Sequence, residues 1–201
     1  CAVYADSLMC TRPWKLWEPC GDGGNGDGDG GGDGNGGDGG VDPETREIRA
    51  VLEVAMAARA PGDRHPGLCH LHVHLMEMSP RPEESLPVAC AALRVRWPDC
   101  GHLLHMATHI DMQVGGYGDA VRCNQTAVAA DLRWCALRGH GTYYHGYLCH
   151  NYHMLAWAAG YDARFRVALG AAEAIVATTP DAMLREWIDF MARRTFPEHS
   201  P

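Results

Sequence analysis

The sequence predicts an all-α chain of antiparallel helix pairs, interrupted by one disordered Gly/Asp-rich insert. Three observations carry this. Apolar residues recur three and four positions apart, as in Ile48, Val51, Leu52 and Ala55, and no stretch alternates with period two. Proline, glycine and aspartate fall where helix ends need them. Short polar turns then precede the second helix of each pair: Arg81-Pro82-Glu83-Glu84-Ser85-Leu86, Gly116-Tyr117-Gly118-Asp119-Ala120-Val121 and Gly160-Tyr161-Asp162-Ala163-Arg164-Phe165.

Residues 1–20 hold Tyr4, Leu8, Trp14, Leu16 and Trp17 between breaks at Pro13 and Pro19, which reads as the end of a preceding repeat and an aromatic-anchored turn. The indoles are expected to be packing anchors. Residues 21–41 form the linker; positions 21–40 alone contain 13 Gly, five Asp and two Asn, with nothing to bury. Calcium-binding Gly/Asp repeats also need a regularly placed large apolar residue, which this tract lacks.

The helical domain spans residues 42–195, with a tail at 196–201. Asp42-Pro43-Glu44 supplies an N-cap, a first-turn proline and an early acid, and the helix runs to about Arg59 before the Pro61-Gly62 stop. The next begins after Pro66-Gly67 and ends at Ser79-Pro80. Pro82-Glu83-Glu84 opens a helix carrying Leu86, Ala89, Cys90 and Leu93 that closes before Pro98. Asp99 is expected to cap the following helix, which Gly115-Gly116 ends. Its partner covers about Gly118 to Leu137. Thr142 caps the next, stopped by Gly160, and the partner of that one covers about Ala163 to Ala177. Pro180-Asp181 opens a last amphipathic helix with Leu184, Trp187, Ile188 and Met191.

Composition excludes some functions. The net charge is -8 over 201 residues, and five of those negative charges lie in the insert, so the remainder carries about -3 and no basic patch for nucleic acid. No apolar run reaches the roughly 20 residues that span a bilayer. Nine cysteines without a C-x-x-C fit free thiols in a reducing, cytoplasmic compartment.

The chemistry concentrates in three histidine stretches: Cys69 to Glu77, Gly101 to His109, and Cys149 to His153. Helical spacing puts His70, His74 and Glu77 on one stripe, His102, His105 and His109 on another, and His150 and His153 on a third. His70 to His105 and His74 to His109 are both 35 residues, the same offset as Leu86 to Val121. This is close to the roughly 34-residue tetratricopeptide period. Val121 to Phe165 is 44 residues, which places an inserted loop near Gly139 to His145. In such solenoids the first helices line the concave surface, and all three stretches lie on first helices. They are therefore expected to share one inner wall.

The chain resembles a group of bacterial and algal tetratricopeptide-repeat proteins. The resemblance rests on Ala5-Asp6-Ser7-Leu8-Met9 with Arg12-Pro13-Trp14, on His70-x-x-x-His74-x-x-Glu77-x-Ser79-Pro80, on Gly101-His102-x-x-His105-x-x-x-His109, and on His150-Asn151-x-His153. It covers most of residues 1–160 outside the insert. It implies a repeat solenoid, and, because those proteins are longer, that this chain is a portion of one. It supplies no reaction.

Seven imidazoles and a carboxylate exceed what one first-row ion needs and suffice for one or two. His70, His74, Glu77, His102, His105, His109, His150 and His153 are the predicted metal ligands, for iron, copper or zinc. Glu77 is also the predicted catalytic acid or base. The H-E-x-x-H motif is absent, because Leu71 follows His70. Histidine dominance favours a metal-dependent oxidoreductase acting on a small molecule over a hydrolase. The competing reading is a non-catalytic module that binds a peptide or protein in its concave groove. His72 points off the stripe and is expected to be a surface or interhelix residue. His65 fits a turn, and His140 and His145 fall in the inserted loop. Met56, Met76, Met106 and Met112 are expected to fill the core.

Overall fold

The structure, a computed structural model, describes residues 1–18, 41–60, 63–140 and 143–186. The insert at 21–40, the Pro61-Gly62 stop, the Thr142 cap, the last helix beyond Glu186 and the tail all lie outside the described residues. Within them the regular structure is entirely helical, and the chain divides into two compact units, Cys1–Ala92 and Leu93–Pro201.

In the first unit, α1 (Ala2–Met9), α2 (Pro43–Ala57) and α3 (Pro66–Met76) pack on one another. Helix α2 starts as its sequence demands. The Asp42 side chain accepts from Glu44 N at 2.8 Å, Pro43 occupies the first turn, and Arg12 pairs with Asp42 at 2.6 Å. Thr45, Ile48, Leu52 and Met56 form its buried stripe. The turn after α1 docks by polar bonds: Trp17 Nε1 donates to the Leu75 carbonyl at 2.6 Å, and the Thr45 hydroxyl donates to Leu16 O. Trp17 is thus an anchor, whereas Trp14 is 73% exposed with φ +66. The indole at that position contributes no packing.

The helix expected from Pro82 to Pro98 is broken. It becomes a 3-10 turn at Pro82–Glu84, a π turn at Leu86–Cys90 and a short helix α4 (Ala91–Leu93). Pro87 supplies no N–H, and its ring collides with the carbonyl an α-helix would aim at it. The wider π register relieves that conflict. His72 faces this segment. It is 1% exposed, its Nδ1 lies 2.9 Å from Ser85 Oγ, and it fills the space between α3 and the π turn.

Burial pushes the His72 imidazole from its ordinary 6.5 down to about 4. A histidine whose folded pKa is depressed stabilises the fold fully above its unfolded value, and that contribution disappears as pH falls through the folded one. At ~1.4 kcal/mol per tenfold in proton affinity, His72 contributes at most about 3 kcal/mol, lost between pH 6.5 and 4. Amide protection in α3 is therefore expected to fall steeply over that range, and His72→Gln should flatten the fall. A wild-type profile with no slope there would refute the assignment.

In the second unit, α5 (Gly101–Gln113), α6 (Tyr117–Arg138), α7 (His145–Tyr161) and α8 (Phe165–Thr178) pack each on the next, and α5 also packs on α7. Helix α5 has no side-chain cap; Asp99 instead pairs with Arg133 at 3.2 Å. Helix α7 runs through Gly160 to Tyr161 rather than stopping there. Its end is a Schellman turn: Ala163 is left-handed at φ +56, and Arg164 N donates to Ala159 O at 2.8 Å. Helix α5 ends the same way, with Gly115 at φ +79 and Gly116 N donating to Asp111 O at 2.7 Å. The left-handed residue sets the boundary, and in α7 that residue is an alanine three positions beyond the glycine.

The apolar clusters of this unit are small and rich in alanine, such as Ala120, Val121, Leu155, Ala158, Ala159 and Ala171. Met106 is fully buried and Met112 partly, as fillers. Cys1, Cys10, Cys100, Cys123, Cys135 and Cys149 are free thiols.

Candidate metal centre

Helix α5 places His102, His105 and His109 one turn apart, and α7 brings His150 against them. His105 is fully buried, while His109 and His150 are partly exposed. The Nε2 of His105 lies 3.0 Å from Nε2 of His109 and 3.0 Å from Nε2 of His150. The His105 ring stands edge-on to both, at centroid separations of 4.8 and 4.6 Å.

Asn124 on α6 decides the state of His105. Its Nδ2 donates to the Ala120 carbonyl at 3.0 Å, so its Oδ1 is the atom presented to His105 Nδ1, at 2.8 Å. An amide oxygen only accepts, so Nδ1 carries the proton and Nε2 carries the lone pair. That lone pair points at two other imidazole nitrogens. One ring lone pair accepts one strong hydrogen bond, and here two neighbours lie at 3.0 Å. A cation shared by the three nitrogens satisfies all of them, since two imidazoles on one ion at ~2.0–2.1 Å stand ~3–3.4 Å apart. Burial, followed by the neighbouring His109 and His150, holds the His105 imidazole well below its ordinary value, so the ligand form is the resting form.

No family profile, curated protein or solved structure matches this chain. The functional reading therefore rests on the geometry.

A second polar network braces the helix that carries His150. Asp131 on α6 is fully buried and accepts from Tyr144 Oη at 2.6 Å and from Asn151 Nδ2 at 2.6 Å. Burial raises its carboxyl, and the two donors partly offset this. Asn151 adjoins His150, so the network sets the rotation of α7. A cleft of about 580 Å³ opens beside the triad, lined by His102, Tyr143, Tyr147, His150 and Glu186 among others. The His102 ring lies 5.9 Å from that of His105 and 4.7 Å from that of Tyr147. His150 thus belongs to both the triad and the cleft wall. His153 is exposed, and the sets of mutually close ligand atoms described in this unit include neither His102 nor His153.

In the first unit, His70 and His74 meet edge to face with centroids 4.7 Å apart, and His74 Nδ1 lies 2.7 Å from Glu77 Oε1. A carboxylate bonded to one ring nitrogen is the usual means of orienting a ligating imidazole, leaving the other nitrogen for an ion.

Asn124, Asp131 and Cys135 escaped the sequence reading, which named His140 and His145 only as residues of the inserted loop. The first two had a signal. The buried face of α6 reads Ala120, Val121, Asn124, Ala127, Val128, Asp131, Cys135, an apolar stripe broken at two positions by polar residues. Buried polar side chains need partners, and the histidines of the neighbouring helices are the available chemistry.

Proposed function

We propose that this chain binds a transition-metal ion through His105, His109 and His150 and acts on a small molecule held in the adjoining cleft. The observation that supports this most directly is the convergence of three Nε2 atoms on one point, with Asn124 fixing the tautomer of the central ring. Three imidazoles fit zinc, copper or iron and leave further coordination positions open. His102, Tyr143, Tyr147 and Glu186 supply hydrogen-bonding and aromatic surface to a substrate in the cleft. The dominance of imidazole over carboxylate among these donors favours oxidoreductase chemistry over hydrolysis. His70, His74 and Glu77 are proposed as a ligand set of the same kind in the first unit, with Glu77 orienting His74 and serving as its acid or base partner. His102 and His153 are proposed as neighbours of the centre, His102 at the cleft wall.

The test uses protein purified without a histidine tag. Elemental analysis is expected to find stoichiometric transition metal, falling by one equivalent in a His105→Ala, His109→Ala double variant that keeps its helical circular dichroism. Absence of stoichiometric metal in the wild type, or unchanged content in the double variant, sinks the proposal. The peptide-binding alternative expects no metal throughout and weakened partner binding in the variant.

A further inference from the structure

The connection between α6 and α7 carries a set of ligand side chains that the histidine triad does not use. Cys135 lies in the last turn of α6, His140 in the loop that follows Gly139, and His145 at the first position of α7. Their ligand atoms all lie within 4.8 Å of one another. Cys135 is 2% exposed, His145 is 0% exposed, and the two imidazole rings meet at a centroid distance of 5.4 Å and 70°.

Among the described residues, neither ring nitrogen of the buried His145 has a hydrogen-bond partner, and the same holds for the buried Nδ1 of His140. A neutral imidazole has one donor and one acceptor, and stranding either in the interior costs its full desolvation penalty. Folded proteins rarely tolerate this. Packing does not explain it either, because an apolar residue would fill the same space without the penalty. The nitrogens are placed together, beside a thiol, where nothing else in the described structure uses them.

We propose that Cys135, His140 and His145 form a separate metal site that takes one divalent ion of the zinc class. One thiolate and two imidazoles are the borderline-soft donor set that such ions select, whereas magnesium and calcium seek oxygen donors. Binding breaks the Cys135 S–H bond, forms a sulfur–metal bond and releases the proton to solvent. Both imidazoles bind as neutral bases, and no electron is transferred. The role follows from position. The ion ties the last turn of α6 to the first turn of α7, five residues before His150. It is a clamp that fixes the start of the helix presenting a triad ligand.

The experiment titrates the full, reduced, metal-free chain with cobalt(II). A near-ultraviolet thiolate-to-cobalt charge-transfer band is expected, with the intensity of a single thiolate ligand, since a histidine-only centre has no such band. Cys135→Ser should abolish it, and His140→Ala should weaken cobalt at this site at least about tenfold. His105→Ala with His109→Ala should leave it intact, which separates this site from the triad. The loop position of His140 makes that variant informative even if Cys135→Ser disturbs the core. A wild-type protein without the band, or a band that persists unchanged in His140→Ala, overturns the proposal.

Discussion

Replacing Gly101 by alanine is expected to destabilise the second unit by about 3–5 kcal/mol. A Cβ on Gly101 would overlap the Asp131 carboxylate, standing 2.5 Å from its Cγ and 2.7 Å from the Ala127 carbonyl oxygen. Neither obstacle yields easily. The Ala127 oxygen is helix backbone, and Asp131 is held by Tyr144 and Asn151 at 2.6 Å each. Moving the carboxylate strands two buried donors; holding it drives α5 away from α6. The arrangement is favourable in the wild type, because a carboxylate at the first residue of α5 also meets the positive end of that helix. Gly170→Ala provides the control. It lies inside α8 with no atom near its added Cβ, so it should stabilise by ~0.5–1 kcal/mol. Urea unfolding of both variants checks the pair, and a Gly101→Ala protein as stable as wild type would refute the packing described for Asp131.

The second large effect concerns Asn124, which touches no proposed ion. Asn124→Leu is expected to weaken metal binding at the triad by about 10–100-fold. Without the amide oxygen, the His105 proton is free to move from Nδ1 to Nε2, where it faces the ion. Asn124→Asp keeps an acceptor toward His105 and should retain affinity, although it loses the donor to Ala120. A merely structural role for Asn124 predicts the reverse ordering: the leucine variant tolerated, the buried carboxylate harmful. Competition titration against a chromogenic chelator gives both affinities. Equal metal affinity in the leucine variant and wild type is the result that removes Asn124 from the site.

These two residues show where sequence reading succeeds and where it stops. Helix identities were legible because caps and periodicity are local: Asp42, Gly115 and the stripe Ile48-Leu52-Met56 each declare themselves within a few residues. Pro87 was legible in principle, but its consequence was not, since a proline is as compatible with a helix start as with a π turn. Gly160 misled because helix termination depends on which residue adopts the left-handed conformation, and Ala163 does so under tertiary constraint. The histidine spacing located His105 and His109 on one face, and the third stretch supplied His150. What spacing could not reveal was the difference between His150 and the exposed His153 on the same helix. That depends on the rotation of α7, which Asp131 sets from another helix through Asn151. Partners such as Asn124 and Cys135 belong to the same class: long-range contacts that leave only a polar interruption in an apolar stripe.

The buried part of the second unit holds the polar side chains His105, Thr108, Asp111, Asn124, Asp131, His145 and Asn151 beside many alanines. Unfolding apolar surface raises heat capacity and unfolding polar surface lowers it. A unit cored in this way gains less heat capacity on unfolding than a leucine-filled one of equal size. Its stability therefore varies less with temperature, and cooling weakens it less. A polar interior that gathers ligand-type side chains thus comes with a flatter thermal profile for the fold that holds them.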